Sequence, residues 1–117
     1  MNQSVYLKTG RELRMVPLSS IYYVEAAHRY VRFVTADRTY TVENSLTNAL
    51  AGLPHNQFCR IHRRYVISLR YARQISSTSV RVGTHELPIG RNFRGGLWRA
   101  LIEREEGPRV IELRSTH

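Results

Sequence analysis

The sequence predicts a mainly β domain, with several short strands in small sheets, one short internal helix and a C-terminal helix. Three observations carry this. Short runs of β-branched and aromatic residues recur along the chain, separated by glycine, proline, serine, asparagine or aspartate. Apolar residues repeat at helical spacing in only two places. The 117 residues, 42% hydrophobic and 23% charged, suit one folded domain with a modest core and leave little material for a second.

Taken in order, residues 4–8 and 12–17 flank Thr9, Gly10 and Arg11, a first hairpin turned by Gly10. Pro17, Leu18, Ser19 and Ser20 break the chain before Ile21, Tyr22, Tyr23 and Val24, a buried strand by composition. Ala26, Ala27, His28 and Arg29 lose the strand pattern and predict a loop with a basic tip, after which residues 30–35 resume it. Ala36, Asp37 and Arg38 connect tightly to residues 39–42, a second hairpin. Leu46, Ala49, Leu50 and Leu53 then fall at i, i+3, i+4 and i+7, with Asn44 or Ser45 as N-cap and Gly52 and Pro54 as the stop.

Two apolar runs, residues 58–61 and 65–67, flank the basic tripeptide His62, Arg63 and Arg64. Residues 73–75, 79–82 and 86–89 are further short strands, divided by residues 76–78 and by Gly83, Thr84 and His85. Phe93, Leu97, Trp98, Leu101 and Ile102 predict a helix over about residues 93–105, although Gly95 and Gly96 each cost ~1 kcal/mol relative to alanine there. Gly107 and Pro108 end it. One domain is thus expected over residues 1–105, with residues 106–117 as a tail or, through Val110 to Leu113, an extra strand.

The formal net charge is +9, and a chain this basic attracts polyanions. Residues 28–94 carry eleven arginines against Asp37, Glu43 and Glu86, a net charge of +8. Residues 1–27 hold three basic and two acidic side chains, and residues 95–117 hold four of each. The excess therefore belongs to the middle of the chain. Of eighteen basic residues only Lys8 is lysine, and a planar guanidinium forks two hydrogen bonds to phosphate or guanine. A GC-rich genome would account for the arginine-to-lysine ratio, but not for the net excess or its position.

Several function classes lack their residues. No apolar stretch approaches the ~20 residues that span a bilayer, and the N-terminus lacks the layout of a signal peptide, so a cytoplasmic protein without a membrane partner is expected. Cys59 is the only cysteine and, between Phe58 and Arg60 in a strand, reads as a small buried apolar residue rather than a nucleophile. His28, His55, His62, His85 and Cys59 are scattered without a metal-binding spacing, so no metal is expected. Neither GxGxxG nor GxxxxGK[ST] occurs, and no cofactor is expected. Of nine carboxylates, Glu103, Glu105 and Glu106 share the terminal helix, which leaves too few for paired acid–base or two-metal chemistry. The chain does not read as an enzyme.

What remains is three basic loops: His28 with Arg29, His62 with Arg63 and Arg64, and Arg91 with Asn92 and Arg94. Arginine takes guanine O6 and N7, asparagine takes adenine N6 and N7, and each group also holds phosphate. Taken singly, Arg38, Arg73, Arg81, Arg104, Arg109 and Arg114 read as solvated surface charge. His62 suits a local hydrogen bond as well as a contact, and His85, beside a turn glycine, reads as structural. Tyr22, Tyr23, Tyr30, Tyr40, Tyr65 and Tyr71 are explained more simply as core or sheet-edge residues than as a base-stacking platform. An RNA-binding β module and a protein-interaction module for an acidic partner are the competing readings.

The order of these features resembles the LytTR-type DNA-binding domain of bacterial transcription regulators. The matching stretches are Ile21-Tyr22-Tyr23-Val24-Glu25, the helix around Ser45 to Leu53, Phe58-Cys59-Arg60-Ile61-His62-Arg63-Arg64-Tyr65-Val66-Ile67, and Leu87-Pro88-Ile89-Gly90-Arg91. The resemblance covers residues 3–103, and the Phe-x-Arg-Ile-His-Arg-x-Tyr-Val stretch is its most specific part. It implies short strands in small sheets, loops that enter successive major grooves of double-stranded DNA, and transcription regulation, with two copies, as a homodimer on DNA, on repeated half-sites. Carried over residue by residue, the contacts fall at His28 or Arg29, at Arg63 with His62 and Arg64, and at Arg91 with Asn92. Ser68 and Gly90 depart from the asparagine and serine usual in the family. Such domains usually follow a receiver or sensor, so a signalling partner outside this sequence is expected to control it.

Overall fold

The computed structural model describes residues 3–112. The first hairpin pairs β1 (Ser4–Thr9) with β2 (Glu12–Pro17), and Gly10 turns it at φ +67°, a backbone region open to glycine at no steric penalty. A 3-10 turn, Leu18–Ser20, occupies the expected break. Then follow β3 (Ile21–Ala27), β4 (Tyr30–Thr35), β5 (Thr39–Glu43), α1 (Leu46–Ala51), β6 (Phe58–His62) and β7 (Tyr65–Ser68). A second 3-10 turn, Leu69–Tyr71, leads to β8 (Ala72–Ile75), β9 (Ser79–Val82) and β10 (His85–Pro88). A third, Arg91–Phe93, leads to α2 (Arg94–Glu103).

The central sheet has five antiparallel strands in the order β5-β4-β3-β7-β6. Alternation along its strands sends Val24, Val31, Phe33 and Val66 to one face and Tyr23, Val34, Ile67 and Ile61 to the other. The first face packs on the β1–β2 hairpin through Leu7 and Val16 and on α1 through Leu46 and Ala49. The second packs on the sheet β10-β9-β8 through Val80, Val82 and Leu87 and on α2 through Leu97. Burial on both faces explains why β3 and β7 carry unbroken apolar runs, Ile21 to Val24 and Tyr65 to Ile67. A register shift between Ile21 and Tyr23 adds a residue to β3, so Ile21 and Val24, three apart, share a face.

Sequence and structure part at a few boundaries. β3 runs through Ala26 and Ala27, which pair with Val31 and Tyr30, so the expected loop shrinks to His28 and Arg29. Alanine has no strand preference of its own, and pairing with β4, joined at Ala26 by a bond to the Arg64 carbonyl, imposes the conformation. The C-terminal helix starts at Arg94 and stops at Glu103, where Arg104 turns extended at ψ 138°, and residues 91–93 form a 3-10 turn instead. Residues 104–112 form no helix or strand, so the extra strand proposed over 110–113 does not form at 110–112, and Leu113 lies outside the described residues.

Candidate nucleic-acid interface

Topology brings the three basic segments to one end of the central sheet. β3 and β7 are antiparallel neighbours with Glu25 opposite Tyr65, so the turn after β3 and the turn before β7 leave the sheet on the same side. The Ala26 N–H donates to the Arg64 carbonyl at 2.9 Å and ties the two turns directly. The third segment arrives from the other sheet: the Gly90 N–H donates to the Ile61 carbonyl at 2.8 Å, against the end of β6. A Cβ at Gly90 would sit 2.9 Å from the Phe93 ring and 3.6 Å from the His62 Cα, so the absence of a side chain permits this close seat.

His28 and Arg29 form a two-residue turn between β3 and β4, both exposed. His28 sits at φ +58°, the one non-glycine residue in the left-handed region among the described residues. The Arg29 carbonyl accepts from the Asn44 N–H at 3.0 Å, which anchors the turn while leaving its side chains outward. The Arg29 guanidinium lies 6.0 Å from the Tyr30 ring and 3.9 Å from Glu43, both partners well exposed. Such a surface pair contributes little, and a phosphate readily competes for it.

In the β6–β7 turn, His62 is partly buried and its Nδ1 accepts from the Arg64 N–H at 3.1 Å. That bond assigns the neutral ring proton to Nε2, a donor on the opposite edge. The His62 ring also packs 5.5 Å from Tyr65. Structure and contact are therefore both open to this residue. Arg63 and Arg64 are exposed, Arg64 Nη2 reaching the Ala26 carbonyl at 3.4 Å.

Arg91 and Asn92 lie in the 3-10 turn before α2, exposed beside exposed Arg94. Among the described residues, the side chains of Arg63, Arg91 and Arg94 meet no carboxylate. The nearby acid Glu25 is occupied: Arg32 Nη1 donates to it at 3.3 Å, and the Tyr65 hydroxyl donates at 3.3 Å. Burial, then the Glu25 charge, push the Tyr65 hydroxyl above its ordinary range, so it remains a neutral donor. The basic end thus leaves Arg63, Arg91 and Arg94 without a carboxylate partner while Glu25 and Glu43 are each paired, an arrangement that favours an incoming polyanion.

Sequence reasoning missed Arg60 as an organiser. Its Nε donates to the His62 carbonyl at 3.2 Å, Nη1 to Thr47 Oγ1 at 3.1 Å and Nη2 to the Arg63 carbonyl at 2.6 Å. Its Cζ lies 5.8 Å from the Phe93 ring centroid. The motif containing Arg60 was visible, but its partners come from three separate stretches of chain. Elsewhere, exposed His85 packs its ring edge-on to Tyr23 at 5.4 Å. Burial pushes the Cys59 thiol up to about 11, which keeps it protonated and unreactive near neutrality. Among the described residues no group of histidine, cysteine and carboxylates could hold a metal, and no helix is long and apolar enough to cross a membrane.

The profile of the LytTr DNA-binding domain matches residues 11–101. This chain belongs to the LytTr DNA-binding domain family. It is 30% identical over 69 residues to the sensory transduction protein LytT of Bacillus subtilis (strain 168), covering 59% of this chain and 29% of that protein. It is 27% identical over 74 residues to the transcriptional regulatory protein YpdB of Escherichia coli (strain K12), covering 63% and 30%. The LytTr chain thus spans under a third of the length of these curated relatives. In structure it is similar to the LytTr DNA-binding domain of a methyl-accepting/DNA response regulator from Bacillus cereus, with a TM-score of 0.71 at 24% identity, covering 86% of this chain and 96% of that one. That likeness bears out the mainly β fold. Every basic segment named above lies within the matched residues.

Proposed function

We propose that this LytTr domain is a sequence-specific regulator of transcription that reads the major grooves of duplex DNA with His28, Arg29, His62, Arg63, Arg64, Arg91 and Asn92. The reading extends the family's DNA binding to particular residues. One observation carries it: three basic segments far apart in sequence are tied to one end of the central sheet by the 2.9 Å bond from Ala26 to Arg64 and the 2.8 Å bond from Gly90 to Ile61. Surface charge without a shared role has no reason to converge in this way. Exposed arginine and asparagine on rigid, hydrogen-bonded turns supply the forked donors that base edges require. Two copies occupy repeated half-sites, residues 1–105 are the binding module, and a signalling partner governs it.

An RNA-binding module would need exposed aromatic rings to stack on. Tyr23 is buried and Tyr22, Tyr40, Tyr65 and Tyr71 are partly buried; of the exposed rings, Tyr6 lies on the β1–β2 hairpin and Trp98 on α2, and Tyr30, 40% exposed, follows the His28–Arg29 turn, so they form no continuous stacking platform along the strands. Duplex DNA is the better match. Selection of bound duplexes from a random pool, followed by competition, tests this. Enrichment of one repeated motif that single-stranded RNA fails to displace supports the reading, whereas an unenriched pool or displacement by RNA overturns it.

A further inference from the structure

We propose that Arg60 is a positioning residue: it holds the β6–β7 turn and the 3-10 turn of Arg91 in fixed relation for DNA, without touching DNA itself. The inference rests on the groove-reading function proposed above. Arg60 is partly buried, and each of its three guanidinium nitrogens has a different partner. Two of them are consecutive carbonyls, those of His62 and Arg63. Fixing two consecutive carbonyls sets the orientation of the peptide planes that carry Arg63 and Arg64. The third partner, Thr47 Oγ1, lies on α1 and anchors the guanidinium from outside the turn. The Phe93 ring under the guanidinium then seats the Arg91–Phe93 turn against the same group.

The backbone is built for this reach. A register shift between Arg60 and His62 inserts Ile61 as an extra residue in β6, and such a bulge bends its strand. The bend lets the Arg60 side chain fold back over a turn only three residues ahead. Ile61, fully buried, anchors the bulge, and its carbonyl is the one that accepts from Gly90. Arg60 and the bulge therefore tie the second and third basic segments together by two routes, one through side chain and one through backbone.

Lysine keeps the charge of arginine, but its donors share one nitrogen, which cannot stand at the three places that Nε, Nη1 and Nη2 occupy or lie flat on Phe93. This separates positioning from phosphate contact. The selected duplex and a scrambled duplex are titrated with the wild-type chain and with Arg60→Lys, Arg60→Gln and Thr47→Val, across a salt series and beside thermal unfolding of each variant. Arg60→Lys should weaken the selected duplex by roughly tenfold while leaving the scrambled duplex and the salt slope unchanged. Thr47→Val, which alters no charge and removes one anchor, should shift the selected duplex the same way by a smaller factor. If Arg60→Lys binds both duplexes like wild type while Arg60→Gln lowers the salt slope for both, Arg60 is a phosphate contact and the proposal fails. If either variant loses both duplexes in step with its unfolding temperature, the role is stability alone and the proposal also fails. A wild-type chain that does not separate the two duplexes sinks the groove-reading function and this inference together. Wild-type discrimination that Arg60→Lys and Thr47→Val retain sinks this inference only.

Discussion

Replacing His28 by glycine should make the protein more stable and bind DNA less well. At φ +58°, His28 occupies a region in which a Cβ crowds the following carbonyl, at about 1–2 kcal/mol per non-glycine residue. Glycine removes that strain. It also widens the unfolded ensemble, which offsets about 0.4–1 kcal/mol of the gain. His28 is exposed and the Ala27–Tyr30 pair closes the turn through backbone, so little packing is lost. The net is a gain of roughly 0.5–1 kcal/mol, a rise of a few degrees in Tm for a domain of this size. Urea unfolding with linear extrapolation measures it, and His28→Ala, which keeps the Cβ, should show no such gain. The proposed interface gives a reason to keep a side chain at this strained turn. The same His28→Gly variant should therefore lose affinity for a selected duplex. A destabilised variant would refute the strain argument, and an unchanged affinity would refute the assignment of His28 to the interface.

Other consequences reach the helix, the core and the titrating groups. Gly95 and Gly96 lie in α2 with nothing within 4 Å of where a Cβ would stand, so Gly95→Ala and Gly96→Ala should each stabilise by about 1 kcal/mol in thermal unfolding. No gain would place the helix end under some other constraint. Ile61→Ala should cost roughly 2–5 kcal/mol, since Ile61 is fully buried at the bulge, and a loss below 1 kcal/mol by urea titration would contradict that packing. Because burial raises the Cys59 thiol from 9.0 to about 11, the folded state holds the proton longer than the unfolded state. The linked stability is fully present below about pH 9 and is lost as pH rises through about 11, so urea midpoints should fall over that window. Cys59→Ala should show a shallower fall, and an identical slope would remove Cys59 as its source.

The strands with β-branched and aromatic residues were legible because local preference and burial agree there, as at Ile21 to Val24 and Tyr65 to Ile67. Ala26 and Ala27 were not, because their strand conformation comes from pairing with β4, and at Ala26 also from the bond to the Arg64 carbonyl, rather than from their own side chains. The three basic segments could be read from charge alone, while their convergence could not. It depends on β3 pairing with β7, residues some forty positions apart, and on the seating of the Gly90–Phe93 stretch against Ile61 and Arg60. Arg60 escaped for the same reason: nothing in a one-dimensional pattern shows that its three nitrogens have partners at residues 47, 62 and 63. The start of α2 was misplaced because Phe93 fits a helical stripe, yet it belongs to the 3-10 turn that packs on β6.

The central claim, that the converging turns read DNA sequence, is tested most directly by measuring the affinity of Arg63→Ala and Arg91→Ala for a selected duplex and for its scrambled counterpart in ~150 mM salt. Each variant should lose about 1–3 kcal/mol on the selected duplex and far less on the scrambled one, so that discrimination collapses. Equal losses on both duplexes would make these arginines phosphate clamps and contradict the claim.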